Sequence, residues 1–346
     1  MDKRRLGRTD IFVTNICLGT MMWGDQCDER EGHAQLDRAA DHGVNFIDTA
    51  EIYSVPPKAE TTGSTERIIG SWFASRKNRD RFILASKVVG RSEMTWLRDG
   101  NKKPRADAAN INEAIDKSLK RLQTDYIDLY QLHWPDRRVN LFGGLDYTHF
   151  DDSAIEIAET LEAFTALVKA GKIRHIGVSN ETAWGVAQWL RAAEVSGNPR
   201  IVSIQNAYSL VNRTFEGALS EFAHREDVGL LAYSVLGQGT LTGKYLNGAL
   251  PAGARKTLFQ RLGRYEGIGA ERAIASYVDL ARKHDLDPAQ LAIRFVDTRP
   301  FVTSTIIGAS SGAQLEADLA AFDMPWSDAL ESDIKRLHLE QPNPCP

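Results

Sequence analysis

Residues 126–135 read YIDLYQLHWP, a short apolar run rich in Ile, Leu and Tyr that ends on a histidine and is stopped by a proline. Its length and β-branched and aromatic content suit a buried strand better than a helix. The same pattern, an apolar run with one polar residue where it gives out, recurs in FIDTAEIY (46–53), with Asp48 and then Tyr53, and in FILASKV (82–88), with Lys87. Working outward, eight such runs are found: Ile16 to Gly19, Val44 to Asp48, Phe82 to Lys87, Tyr126 to His133, His175 to Ser179, Val202 to Gln205, Gly229 to Tyr233, and Ser304 to Gly308.

Between them lie helix-period segments. Ile155, Ala158, Leu161, Phe164, Leu167 and Val168 form one apolar face; Asn110 with Glu113 resembles a capping box, and Asp287-Pro288 offers an N-cap followed by proline. Strands alternating with helices, without a linker rich in Gly, Ser or Pro, predict an α/β fold built as one (β/α)8 TIM barrel over residues 1–346. Lys3 to Asn15 is expected to be a hairpin closing the barrel floor. Active sites of such barrels lie at the C-terminal ends of the strands, where Asp48, Tyr53, Lys87 and His133 fall. The connections Tyr53 to Ser64, Gly90 to Asn110 and Pro135 to Ile155 exceed what a barrel needs and are expected to be lids or binding loops, with Phe142 and Tyr147 in the last as covering aromatics.

A net charge of −4 gives no general attraction for nucleic acid or an anionic membrane. Neither a membrane-spanning run nor a signal-peptide apolar region is seen, so a cytoplasmic location is expected. Cys17, Cys27 and Cys345 are too scattered for a disulfide framework, and the eight histidines show no metal-ligand spacing, so no metal is expected. No segment suggests an obligate protein partner.

A carbonyl that accepts a hydride develops negative charge on oxygen, so its reduction needs a proton donor, a group that tunes the donor, and a group that orients the oxygen. Tyr53 is a donor whose ordinary pKa near 10 a cation such as Lys87 would lower, Asp48 would keep that lysine charged, and His133 would orient the carbonyl. Singly each has a plainer reading: a helix cap, a loop-packing ring, a solvated lysine, a core histidine. It is their joint placement at the ends of successive strands that points to catalysis.

The stretches LGTMMWG, NFIDTAEIY, SLKRLQTDYIDLYQLHWP, AGKIRHIGVSN, IVSIQNAYSL, LLAYSVLGQGTLTGKYLNG and IIGASSGAQLEADL, spread along almost the whole chain, resemble the aldo-keto reductase superfamily, and within it the bacterial Tas-type NADP(H)-dependent reductases. The resemblance implies Tyr53 as general acid, Lys87 and Asp48 as its tuning pair, and His133 as the orienting donor. It implies NADPH as cofactor and a small-molecule carbonyl as substrate. Ser179, Asn180 and Gln205 would hold the nicotinamide carboxamide, Tyr233 would stack on the ring, Ser234 and Leu236 would also bind the cofactor, and the run from Gly237 to Lys244 would serve the pyrophosphate. Gly308, Ser310, Gln314 and Asp318 would face the adenosine end, where Ser310 and Ser311 replace the basic residue of many relatives, leaving Lys244 and Arg255 to supply the charge. Asp318 stands where many relatives have Asn; as a carboxylate it would accept from adenine but not donate. Trp23, Trp134 and Val55-Pro56-Pro57 are expected at the pocket mouth.

Two other functions fit the same residues less fully. Barrels of this family also serve as cofactor-sensing subunits with slow turnover, which an intact tetrad permits. A phosphate-binding lyase or isomerase with a Schiff-base lysine would leave Ser179, Asn180, Gln205 and Tyr233 without a task.

Overall fold

The computed structural model describes residues 1–346 except 141, 145, 151, 152 and 261. An antiparallel hairpin, β1 (Lys3–Arg5) with β2 (Phe12–Thr14), precedes eight parallel strands. These are β3 (Ile16–Gly19), β4 (Phe46–Asp48), β5 (Ile83–Val88), β6 (Ile127–Leu132), β7 (Ile173–Ser179), β8 (Ile201–Ala207), β9 (Gly229–Tyr233) and β10 (Val302–Ile307). They close into a barrel in the order β10-β3-β4-β5-β6-β7-β8-β9. The expected (β/α)8 barrel is therefore present; β3 and β9 coincide with their apolar runs, and no other strand end is displaced by more than two residues. His133 lies one residue past β6, yet its N–H still donates to the Val88 carbonyl at 2.8 Å, which fixes its backbone against β5.

Helices α1 (Glu29–Asp41), α2 (Ser64–Arg76), α3 (Ala108–Leu122), α4 (Ile157–Lys169) and α5 (Ala183–Ser196) follow β3 to β7 in turn. After β8 comes α6 (Leu219–Glu226); α7 (Arg255–Phe259), α8 (Ala270–Lys283) and α9 (Pro288–Asp297) lie between β9 and β10; α10 (Gly312–Ala320) and α11 (Asp328–Glu340) complete the ring. Leu161, Phe164 and Leu167 face the core from α4, whereas Ala158 points to solvent. Asp287 caps α9 through Ala289 N and Gln290 N, with Pro288 at the first helical position. The cap of α3 is Asp107, which accepts from Asn110 N at 2.8 Å, so Asn110 lies inside the helix and Glu113 instead accepts from Asp99 N. No helix among the described residues is long and apolar enough to cross a membrane.

The hairpin closes the floor: Leu6 and Val13 pack with the inward residues Cys17, Phe46, Ala85, Leu129, Val202 and Leu231. Side chains on a strand alternate between faces with period two. Two residues beyond Phe46, Ala85 and Leu129, the same inward face therefore presents Asp48, Lys87 and Gln131. An apolar plug thus lies beneath a polar layer.

Of the Pro135 to Ile155 connection, residues 141, 145, 151 and 152 lie outside the described ones. Asp136 pins both ends of it, accepting from Ala106 N and Ile155 N at 2.9 Å and from Arg105. Phe142 is 57% and Tyr147 85% exposed, so neither aromatic is packed down over the barrel.

Candidate active site

Lys87 is the centre of the polar layer. Its side chain is wholly buried; Nζ donates to Asp48 Oδ2 (2.6 Å) and to the Thr49 carbonyl (2.8 Å), and lies 3.4 Å from the Tyr53 hydroxyl. Those three partners use all the donors an ammonium has. Asp48 is equally committed, because its other oxygen accepts from Gln205 Nε2 at 2.8 Å and Gln131 Nε2 at 3.3 Å. The Tyr53 ring meets His133 edge to face, with centroids 5.6 Å apart.

Burial works against the charge on Lys87, but Asp48 and Tyr53 outweigh it and the pKa is raised, so the side chain is an ammonium at neutral pH. For Tyr53 burial is the largest influence and pushes the pKa up; Lys87 pulls it down, as expected from the sequence, without overcoming burial. The net shift is therefore opposite to the sequence expectation, and the phenol keeps its proton throughout the neutral range. Burial and then the Lys87 cation hold His133 well below the ordinary imidazole range, which leaves it neutral. Its Nδ1 is buried without a hydrogen-bond partner. A neutral imidazole has one N–H to give, and an oxygen lodged between the phenol and this ring can receive one hydrogen bond from each.

Around this centre the ends of β7, β8 and β9 converge. Asn180, in the left-handed region at φ 51°, donates from Nδ2 to the His133 carbonyl (2.9 Å) and accepts the Tyr233 hydroxyl at 2.6 Å. Ser179 Oγ donates to the Gln205 carbonyl at 2.7 Å. Ser179, Asn180, Gln205 and Tyr233 are thus brought together as expected, and they hold one another: Asn180 Oδ1 already accepts the Tyr233 hydroxyl, which leaves it one lone pair for a carboxamide.

Beyond β9, Ser234 and Leu236 lead into a turn over Gly237–Thr242. Gly239 has φ 88°, and a Cβ there would meet Lys244 Cε and Nζ at 2.9 Å, so glycine is what lets the lysine cross the turn. Burial and then Arg255 lower the Lys244 pKa, with Asp318 opposing. Neither Lys244 nor Arg255 has a carboxylate ion-pair partner among the described residues. Gly308 follows β10, its Cα so close to the Gly19 carbonyl that a Cβ would lie 3.1 Å from it. Ser311 is the N-cap of α10, and Gln314 Oε1 accepts from Ser310 Oγ at 2.9 Å, so these polar groups are partly spent on the loop itself. Burial, then Asp287, push the Asp318 carboxyl up to about 7, with Lys244 opposing. A carboxyl shifted in this direction has its protonated form, which can donate as well as accept, within reach near neutral pH.

On the substrate side the two tryptophans part company. Trp134 packs against the His133 ring at 4.8 Å and donates its indole N–H to the Arg91 carbonyl. Trp23 is not at the pocket mouth: it is fully buried, bonded to Gln35 Oε1, and α1 approaches it so closely that a Cβ on Gly32 would be 3.3 Å from its ring. Sequence reasoning missed Gln131 and the Thr49 carbonyl. Gln131 had a signal, since it precedes His133 by two and so shares its face in an otherwise apolar strand; a backbone carbonyl has none.

An eight-stranded parallel barrel carrying Asp, Tyr, Lys and His at its strand ends defines a class of oxidoreductase. The chain belongs to the aldo/keto reductase family, whose sequence model matches residues 15–338. It is 49% identical to the protein tas of Escherichia coli over 100% of both chains. It is also 34% identical to the uncharacterized oxidoreductase YrpG of Bacillus subtilis, over 97% of this chain and 94% of that one. An aldo-keto reductase of Babesia bovis is 37% identical over 76% of this chain and 98% of its own.

Proposed function

We propose that the chain is a single-domain, cytoplasmic, NADPH-dependent reductase of aldehydes or ketones, with Tyr53 as general acid. The observation that carries this reading is the convergence of a protonated phenol, a buried ammonium 3.4 Å from it and an unpartnered neutral imidazole on one point. The reduced nicotinamide supplies the hydride when bound. Tyr53 gives its proton to the carbonyl oxygen, and the alcohol leaves with that proton. Lys87 stabilises the phenolate left behind, which regains a proton from water. His133, held by its backbone and by Asn180, orients the oxygen through one N–H. An ammonium that stays charged is a poor Schiff-base nucleophile, so the direction of the Lys87 shift disfavours the lyase reading.

The residues present fit a phosphorylated dinucleotide. Lys244 and Arg255 are close enough for each cation to act on the other, neither is ion-paired to a carboxylate among the described residues, and Gly239 leaves room beside the lysine. These two side chains would hold the 2′-phosphate and pyrophosphate, Asn180 and Gln205 the carboxamide, and Asp318 the adenine. A charge-assisted contact is worth roughly 1.5–3 kcal/mol. Arg255→Ala is therefore expected to weaken NADPH by about ten-fold or more and NADH hardly at all in a fluorescence titration; equal losses would assign Arg255 to the part the two cofactors share.

A further inference from the structure

Two of the long connections meet beside the Tyr53 ring, and a buried ion pair joins them. Glu51 lies between Asp48 and Tyr53. Its N–H donates to the Lys87 carbonyl (3.2 Å) and its Oε1 accepts from Val89 N (2.9 Å), so one residue ties the Tyr53 segment at two points to the end of β5, directly after the lysine. From the Gly90 to Asn110 connection, Arg98 reaches the same carboxylate in a two-point contact, Nη1 to Oε2 at 2.8 Å and Nη2 to Oε1 at 3.0 Å, while its Nε holds Asn110. The side chains are 0% and 2% exposed for Arg98 and Glu51. Leu97 packs with Ala50, Ile52 and Val89, and Tyr53, Met94 and Trp134 rest on that cluster. On the outer side Trp96 donates to Thr62 Oγ1 at 3.1 Å, a second tie between the connections.

A buried ion pair gains little stability over an apolar filling of the same space. What a forked, two-point contact supplies is geometry. We propose that Glu51 and Arg98 are positioning residues for the Tyr53 acid, and that the Met94–Trp96 segment held by Arg98 is the pocket wall that discriminates among carbonyl substrates. The inference rests on the reading of Tyr53 as the acid. Glu51 keeps the turn from Asp48 to Tyr53 in register with Lys87; Arg98 neutralises the buried carboxylate and draws its own connection against the phenol ring.

The test is single-turnover reduction of a small aldehyde and a bulky aryl ketone by Glu51→Gln/Arg98→Met, which removes both charges together, and by Arg98→Lys, which keeps one contact. Misplacement of a reacting group by about 1 Å can cost about 10²-fold. The double variant is expected to bind NADPH as wild type does, to lose at least about ten-fold in rate, and to change the ratio of kcat/KM between the two substrates; Arg98→Lys is expected to recover most of the rate. A double variant that melts at lower temperature but reduces both substrates at the wild-type rate and ratio overturns the proposal. Should the double variant not fold, Glu51→Asp decides, since it keeps both buried charges but shortens the reach to Val89 and to the Arg98 fork: a slower rate with unchanged NADPH affinity supports the role, and an unchanged rate overturns it. A wild type that is silent toward every carbonyl refutes the reductase reading itself, whereas an active wild type with unaffected variants refutes the positioning role alone.

Discussion

Tyr53→Phe is expected to lower the rate of carbonyl reduction by roughly 10²–10⁴-fold, the usual worth of a general acid, with NADPH affinity nearly unchanged. Among the described residues the phenol makes one polar contact, 3.4 Å from Lys87 Nζ, and the ring itself packs on the Ala50–Leu97 cluster, which Phe would still fill. Removing the hydroxyl thus removes the proton and leaves the packing in place. Stopped-flow reduction, where chemistry limits the signal, is the measurement. A variant that keeps more than about half the wild-type rate would show that the proton comes from elsewhere, because even the low end of general-acid catalysis is roughly 10²-fold.

The second large effect concerns Lys87→Met. Removing one partner of a buried ion pair leaves the other charge alone, at a cost of about 3–5 kcal/mol, so the single variant is expected to be much less stable. Asp48→Asn/Lys87→Met removes both charges and is the better probe of chemistry. Tyr53 must be protonated to donate, so reduction persists below its pKa and fails as pH rises through it. That pKa is already raised by burial, and Lys87 pulls it down. Loss of the cation moves it further up, and outweighs the smaller downward effect of losing the Asp48 charge, so the alkaline limb of the pH–rate profile is expected to shift to higher pH while the plateau falls, since nothing then stabilises the phenolate. A lower plateau with the alkaline limb in its original place would contradict the charge coupling between the two groups.

The barrel was legible because buried parallel strands are short apolar runs, and the tetrad because polar residues at the ends of such runs have few structural reasons to be there. Val44 and Asn45 were read into β4 on their apolar neighbour alone, but the strand begins at Phe46, because Asn45 is used to bridge to the hairpin through Thr14 and Phe12. Trp23 was misplaced for a related reason: its position after β3 suggested the mouth, while Gly32 on α1 opens a slot that only the folded chain reveals. The shift of Tyr53 depends on how far burial outweighs a neighbouring charge, and residue order carries the charge but not the burial. Arg98 and Glu51 are 47 residues apart, with no spacing that links them. Asp318 is a like case, since its shift comes first from burial and then from the nearness of Asp287 and Lys244, which only the packing of segments distant in sequence brings about.

The central claim is that this chain reduces carbonyls with NADPH through a proton from Tyr53. It is tested most directly by following NADPH oxidation and alcohol formation together, with wild type and Tyr53→Phe side by side, over a panel of aliphatic and aromatic aldehydes and ketones. The account predicts that wild type reduces at least some of them, with one alcohol formed per NADPH consumed, and that Tyr53→Phe binds NADPH but reduces none at a comparable rate. NADPH bound by both proteins with no carbonyl reduced by either, or equal rates from the two, would contradict it.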